Sequence, residues 1–245
     1  MLCSGVGTIA MRVFSNIFGF LKKCALGYRA SSESYIEKLR SLGAEIGEDV
    51  TIHYPFNTRI DLTAPWLLKI GNHVYITGPV TILLHDYSWS VIKGKTGEVL
   101  GCQRPVSIGS NVFIGWGATV LCGAMIEDNV IIGANSVVAG RCESDSVYAG
   151  VPARRICSLE EYREKRLDSQ VTEAQEFVRR FRTRFNRNPE PCEMIEYFPV
   201  FSDWEHLEEV HLSQLRLMGT FDQSVEMIRL SKRAYDSFES FLESC

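Results

Sequence analysis

At 245 residues, with 45% hydrophobic and 23% charged side chains, the chain has the composition of a globular protein of one or two domains. A net charge of −4 excludes a basic nucleic-acid-binding surface as its organising feature. Residues 157–245 hold 12 basic and 18 acidic side chains, so the acidity is concentrated in the C-terminal part.

Residues 1–27 are apolar with few charges. Arg12 interrupts the apolar run and Lys22 and Lys23 follow it, whereas a secretory signal places its positive charge first. No stretch reaches the roughly 18–20 apolar residues that span a bilayer. Two readings stay open: a helix packed against its own protein or a neighbouring subunit, and a helix lying on a membrane surface. The expected location is cytoplasmic. Ser31–Leu42 reads as a short helix with Tyr35, Ile36 and Leu39 on one face. Ser32 or Ser34 caps it, Ser34 and Glu37 have capping-box spacing, and Gly43 stops it.

From residue 44 a different period begins. Ile46 and Ile52 stand six apart, with Val50 and Phe56 four residues after each. The register breaks around "NTRIDLTAPW" and resumes at Ile70, Ile76 and Ile82, followed at the fourth residue by Val74, Val80 and Asp86. An excursion at about 88–106, rich in Gly and Lys, carries no repeat. Long loops of this kind are usually functional or disordered. Beyond it every sixth residue is again aliphatic: Ile108, Ile114, Val120, Ile126, Ile132 and Val138. The fourth residue of each unit is apolar or small: Val112, Ala118, Ala124, Val130, Ser136 and Cys142. Neither the 3.6 period of a helix nor the 2.0 period of a strand explains six. A chain that runs a short strand, turns a corner and repeats does, and it buries each apolar face only against its neighbours.

After Ile156 the pattern turns helical. Ser158 and Glu161 have capping-box spacing. Ala174, Phe177, Val178 and Phe181 share a face opposite Arg179, Arg180, Arg182 and Arg184, a solvated charged face. "NRNPEPCE" breaks this helix, and two more are expected over Glu205–Leu217 and Ser224–Leu242. The organisation is thus an N-terminal helical segment (1–43), a repeat domain (44–157) and a C-terminal helical extension (158–245). The eight cysteines form no CxxC pair, and no histidine stands near a pair at metal-ligand spacing. All eight read as free thiols in a reducing compartment, with no metal site.

The run "PVSIGSNVFIGWGATVLCGAMIEDNVIIGANSVVAG", followed by "YAGVPARRI", resembles the hexapeptide-repeat acyltransferases, in particular the sugar and xenobiotic O-acetyltransferases. The match covers roughly residues 41–157. The resemblance implies a mainly β fold, a left-handed parallel β-helix with an interrupting loop, assembled as a homotrimer. The handedness comes from the resemblance, since left-handed crossovers are exceptional. It also implies acetyl-CoA as acyl donor. The helical tail, with "EEYREKR" and "NPEP…EYF" elements, is similar to tails of acetyltransferases of polysaccharide synthesis and leans the acceptor toward a sugar or oligosaccharide.

His85, third after Ile82 in "ILLHDYSW", stands where the family places its essential histidine, just before the loop. A histidine there takes the proton of an acceptor hydroxyl as its oxygen attacks the thioester. Asp61 is either a ligand for the acceptor sugar or a turn cap. Asp86 is a candidate to orient His85 or touch substrate. The resemblance places Trp116 and Ala134, with Ser136 nearby, along the pantetheine arm and Arg154 at the CoA phosphates. Arg141 stands in "AGR", where relatives often carry Thr-Lys. His53 and His73 read as surface residues, and His206 and His211 are set off a shared helical face. No P-loop, GxGxxG after a strand or GxSxG is present. The alternatives are N-acetylation of an amino sugar, xenobiotic or antibiotic acetylation, serine acetylation, and a non-catalytic β-helix scaffold.

Overall fold

A computed structural model describes residues 25–231 and 233–245. The expected N-terminal helix, with Cys3 and Cys24, lies largely outside the described residues. The chain divides into two compact units between Leu159 and Glu160. In the first, α1 (Ser32–Ser41) buries Tyr35, Ile36 and Leu39 as the spacing predicts. Its cap is one residue earlier than expected. The Ser31 hydroxyl accepts from the Ser34 amide and the Ser34 hydroxyl answers the Ser31 amide, so the box is serine on serine and does not use Glu37.

The chain then lays short strands on three sheets in rotation. β1 (Glu45–Ile46), β2 (Thr51–Ile52) and β3 (Arg59–Ile60) open the first, second and third sheets. β4 (Leu68–Ile70), β5 (Val74–Ile76) and β6 (Thr81–Ile82) extend them in the same order. An antiparallel pair, β7 (His85–Asp86) with β8 (Cys102–Gln103), interrupts. The rotation resumes with β9 (Val106–Ile108), β10 (Val112–Ile114), β11 (Thr119–Val120), β12 (Met125–Ile126), β13 (Val130–Ile132), β14 (Val137–Val138), β15 (Arg141–Cys142) and β16 (Ser146–Ala149). Every pairing among these three sheets is parallel until β17 (Arg154–Ser158) turns back antiparallel on β16.

The period of six becomes a register. Ile70, Ile108, Ile126 and Cys142 are successive partners in the first sheet. Ile52, Ile76, Ile114 and Ile132 are partners in the second, and Ile60, Ile82, Val120 and Val138 in the third. All are buried in one core, and each such aliphatic side chain contributes about 1.5–3 kcal/mol by leaving water. The corner between the first and second sheets falls at Asp49, His73, Asn111, Asn129 and Asp145, each with φ between 52° and 58°. Asn, Asp and His are the side chains best suited to that left-handed region. The stacked amides also bond along the corner, Asn111 Nδ2 to Asn129 Oδ1 at 2.7 Å and Asn129 Nδ2 to Asp145 Oδ1 at 2.9 Å.

Three expectations need correction here. The apparent break at "NTRIDLTAPW" is two insertions in an unbroken register: Ile60 is 3% exposed and pairs with Ile82, and Thr58 takes the buried corner. Phe56, expected at that corner, lies in the inserted turn and is 54% exposed. Asp86 is also not a corner residue, because the chain leaves the coil after the buried Leu84. The excursion itself is not structureless, since α2 (Trp89–Thr96) sits between β7 and β8 and ends on Gly97 at φ 84°.

In the second unit, α3 (Leu159–Phe185) joins the two expected helical stretches into one helix of 27 residues. It buries Ala174 and Val178 against Met194, Phe198, Val200, Phe201 and Phe241, a core of its own. Asn186, at φ 53°, ends it where the sequence predicts a break. The two later helices are shorter than expected. α4 (Glu209–Leu215), α5 (Phe221–Leu230) and α6 (Phe238–Glu243) replace them, because Ser231 is extended and Ser237 caps a new helix through a serine box with Ser240. Among the described residues no helix is long and apolar enough to cross a membrane.

Ile114→Ala, at a fully buried point of the second sheet, is expected to cost about 2–5 kcal/mol, read as a lower denaturation midpoint. At the left-handed corner the order of variants is the test. Asn129→Gly loses the amide ladder, whereas Asn129→Ala also adds about 1–2 kcal/mol of left-handed strain, so the alanine protein melts first. With separate cores in the two units, truncation after Leu159 is expected to leave a soluble protein with a β-type circular dichroism spectrum. A truncated chain that is unfolded would contradict this.

Candidate active site

Register builds the site. Asp61 directly follows Ile60 in the third sheet, Thr63 is two residues on, and His85 is the third residue after Ile82, the stacking partner of Ile60. The Asp61 amide donates to the Ile82 carbonyl at 2.9 Å, which fixes the two levels against each other. The Asp61 carboxylate then accepts from four donors. Oδ1 takes the Thr63 amide at 2.8 Å and the Thr63 hydroxyl at 2.7 Å. Oδ2 takes the Leu84 amide at 3.0 Å and a short hydrogen bond from His85 Nδ1. His85 Nδ1 also lies 3.1 Å from Thr63 Oγ1. The Asp61 side chain is 4% exposed and that of His85 22%.

Burial works against charge on Asp61, but the Thr63 and Leu84 amides, the Thr63 hydroxyl and His85 outweigh it and hold the carboxyl below its ordinary value. Asp61 is therefore ionised and only accepts. With the Thr63 hydroxyl proton committed to Oδ1, the proton between Asp61 and His85 belongs to Nδ1. The neutral imidazole then presents Nε2 as a lone pair. A buried carboxylate behind Nδ1 fixes the ring's tautomer and orientation and stabilises the imidazolium that forms when Nε2 takes a proton.

His85 opens on a cavity of about 360 Å³ lined also by Asp86, Tyr87, Trp89, Gly101, Cys102 and Gln103. Tyr87 stands edge-on to the imidazole, ring centroids 4.6 Å apart, and Trp89 follows at 6.0 Å from Tyr87. The excursion thus supplies aromatic surface on one side of the histidine.

The structure brings together His85 and Asp61 and adds Thr63, which sequence reasoning missed. The signal was present as Asp61-x-Thr63, the spacing at which an aspartate side chain bonds the chain two residues on. Asp61 is both a turn cap and the carboxylate behind His85. Asp86, the adjacent candidate for that task, is exposed and its Oδ1 accepts from the Ser88 amide at 2.7 Å. Trp116 and Ala134 are exposed one level apart, the Trp116 carbonyl accepting from the Asn135 amide at 2.7 Å. Ser136 is fully buried and its hydroxyl accepts from the Gly150 amide at 3.1 Å, so its role is inside the coil. Arg141 is engaged with Glu127, while Arg154 is exposed and donates to the Ala153 carbonyl at 3.1 Å. Of the other histidines, His53 is exposed against Tyr54 and Tyr75, and His73 pairs with Asp49 at 3.2 Å. His211 is buried, with Nδ1 accepting from the Glu208 amide and Nε2 donating to the Pro191 carbonyl. The His206 side chain lies outside the described residues.

The bacterial transferase hexapeptide model, of six repeats, matches residues 105–140. Protein CapG of Staphylococcus aureus is 35% identical over 133 residues, which cover 54% of this chain and 76% of CapG. Galactoside O-acetyltransferase of Escherichia coli is 33% identical over 112 residues, 45% of this chain and 54% of the enzyme, and a serine acetyltransferase of Staphylococcus xylosus is 37% identical over 110 residues, 45% of this chain and 44% of that enzyme. The chain thus spans about half the length of these two enzymes. Among solved structures, a hexapeptide-repeat acetyltransferase of Vibrio cholerae in complex with acetyl coenzyme A aligns with 64% of this chain and 91% of its own, at 22% identity and a TM-score of 0.43. Six-residue periodicity, three parallel sheets in rotation and the extended alignment with CapG lead to one assignment: this chain belongs to the hexapeptide-repeat transferase family and is an acyltransferase.

Proposed function

We propose that the protein is an acetyl-CoA-dependent O-acetyltransferase that acts on a sugar hydroxyl in surface or capsular polysaccharide synthesis. In this reading the three-sheet winding is a left-handed parallel β-helix, and it works as a homotrimer. The observation that carries the proposal is the His85–Asp61–Thr63 arrangement at the mouth of a cavity. His85 Nε2 takes the proton of the acceptor hydroxyl, and the acceptor oxygen attacks the thioester carbonyl. Asp61 holds the imidazolium. The tetrahedral intermediate collapses with loss of the CoA thiolate, which recovers the proton from His85. No covalent acetyl-enzyme is required.

The donor contacts proposed are Trp116, Ala134 and Arg154, all exposed on the coil surface, with Arg141 as a further cation. Their place on other corners than that of His85 fits a site completed by a neighbouring subunit. A sugar acceptor is supported by the exposed Tyr87 ring and the half-buried Trp89 ring beside His85 and by the likeness to galactoside O-acetyltransferase.

Thiol release from acetyl-CoA across a panel of sugars, nucleotide sugars and oligosaccharides tests the reaction, and activity confined to serine or to amines would redirect it. His85→Ala is expected to lower kcat by about a hundred- to ten-thousandfold with little change in acetyl-CoA affinity. A variant with near-full turnover would remove His85 from catalysis. Asp61→Asn is expected to cost roughly a hundredfold or more, because an amide cannot hold the tautomer or the imidazolium as a carboxylate does. The same variant has a stability signature. A carboxyl held below its ordinary value stabilises the fold above its unfolded-state titration, and that contribution is lost as pH falls through the lowered folded value. Denaturation midpoints of the native protein should therefore fall more steeply than those of Asp61→Asn on acidification below about pH 4. Light scattering should give the mass of a trimer, and a stable, active monomer would refute the shared site.

A further inference from the structure

One cluster beside the site has no step in the proposed acyl transfer. Cys102, in β8 of the excursion, and Cys122, just past β11, bring their sulfurs to 3.9 Å. Cys122 is 4% exposed and Cys102 is half-buried, lining the cavity at His85. Arg104 Nη2 lies 3.6 Å from the Cys122 sulfur. The guanidinium lies close over Gly123, where a Cβ would stand 3.0–3.1 Å from it. The guanidinium is thus placed to donate to this sulfur, and the thiolate is the form of a cysteine that attacks an oxidant. Three of the other described thiols are held protonated more firmly than a free thiol. Burial pushes Cys142 up to about 11 and raises Cys192 and Cys245.

We propose that Cys102 and Cys122 are an oxidation site, at which a peroxide converts the two thiols to a disulfide that fastens the excursion to the coil beside His85. The Cys122 thiolate attacks one peroxide oxygen, an S–O bond forms as the O–O bond breaks, and hydroxide leaves as water. The Cys102 thiol then attacks the sulfenic sulfur, an S–S bond forms and a second water leaves. Two thiols lose two electrons, and one peroxide is reduced to two waters. The sulfurs have to close by about 2 Å to reach bonding distance. Because Cys102 pairs with Asp86 and Gln103 with His85 across the β7–β8 ribbon, the bond would fix one wall of the cavity to the coil.

The test is peptide mapping of the full chain after graded hydrogen peroxide, alkylation and digestion without reductant. The expected product is a linked pair of peptides holding Cys102 and Cys122, formed before oxidation of Cys142 and reversed by dithiothreitol. Arg104→Gln should slow its formation by about tenfold, and Cys102→Ser should leave Cys122 as a sulfenic acid trapped by dimedone. The proposal is overturned if both thiols remain alkylatable when other cysteines have oxidised, or if each oxidises singly without a linked peptide. Mass detects the bond without any assay of acyl transfer, so the site stands or falls separately from the proposed reaction.

Discussion

Everything in the first unit depends on one stacking rule: an aliphatic side chain must lie on the aliphatic side chain of the next level. Ile76 lies between Ile52 and Ile114, and Ile82 between Ile60 and Val120. In a parallel sheet a slip of one residue would turn each of these outward, so the core fixes the level of every strand. Polar demands are met where the chain turns, by Asn, Asp and His in left-handed corners whose amides bond along the stack.

The dyad inherits its geometry from that rule. His85 and Asp61 are far apart in sequence, and no local spacing in either segment announces the other. The stacking of Ile60 on Ile82 brings them to one corner, and the Asp61–Ile82 backbone bond holds the level. The carboxylate is buried behind the ring, while the ring's other edge faces a cavity walled by the excursion. A rigid coil holds the histidine, and a locally folded insertion supplies the surface around it.

The period of six was legible because the core repeats it, and the position of His85 was legible because it stands where the coil is left. Ile60 was not, since two insertions moved it out of phase while its pairing stayed intact. The choice between Asp61 and Asp86 could not be read from proximity in sequence. Adjacent side chains on an extended segment point to opposite sides, and the residue that meets His85 comes from the level before. Ser136 shows the reverse error: its small hydroxyl suits the interior, and the Gly150 amide claims it there. In the tail, aromatic and charged periodicity located helices but not their ends; the start of the last one is set by the Ser237–Ser240 cap.

The excursion also leaves a mark on how the chain can assemble. Beyond it, neighbouring levels meet across 18 residues, as Asn111 and Asn129 do, whereas across it Asn72 and Ser110 meet across 38. Loop-closure entropy rises with the logarithm of length, so the longer closure costs only about 0.7 kcal/mol more. The levels after the excursion close the shorter loops, and each stacks only on its neighbours. The insertion between Leu84 and Val106 is therefore cheap to lengthen or exchange, and the surface around His85 can be remodelled there while the levels beyond it stay unchanged.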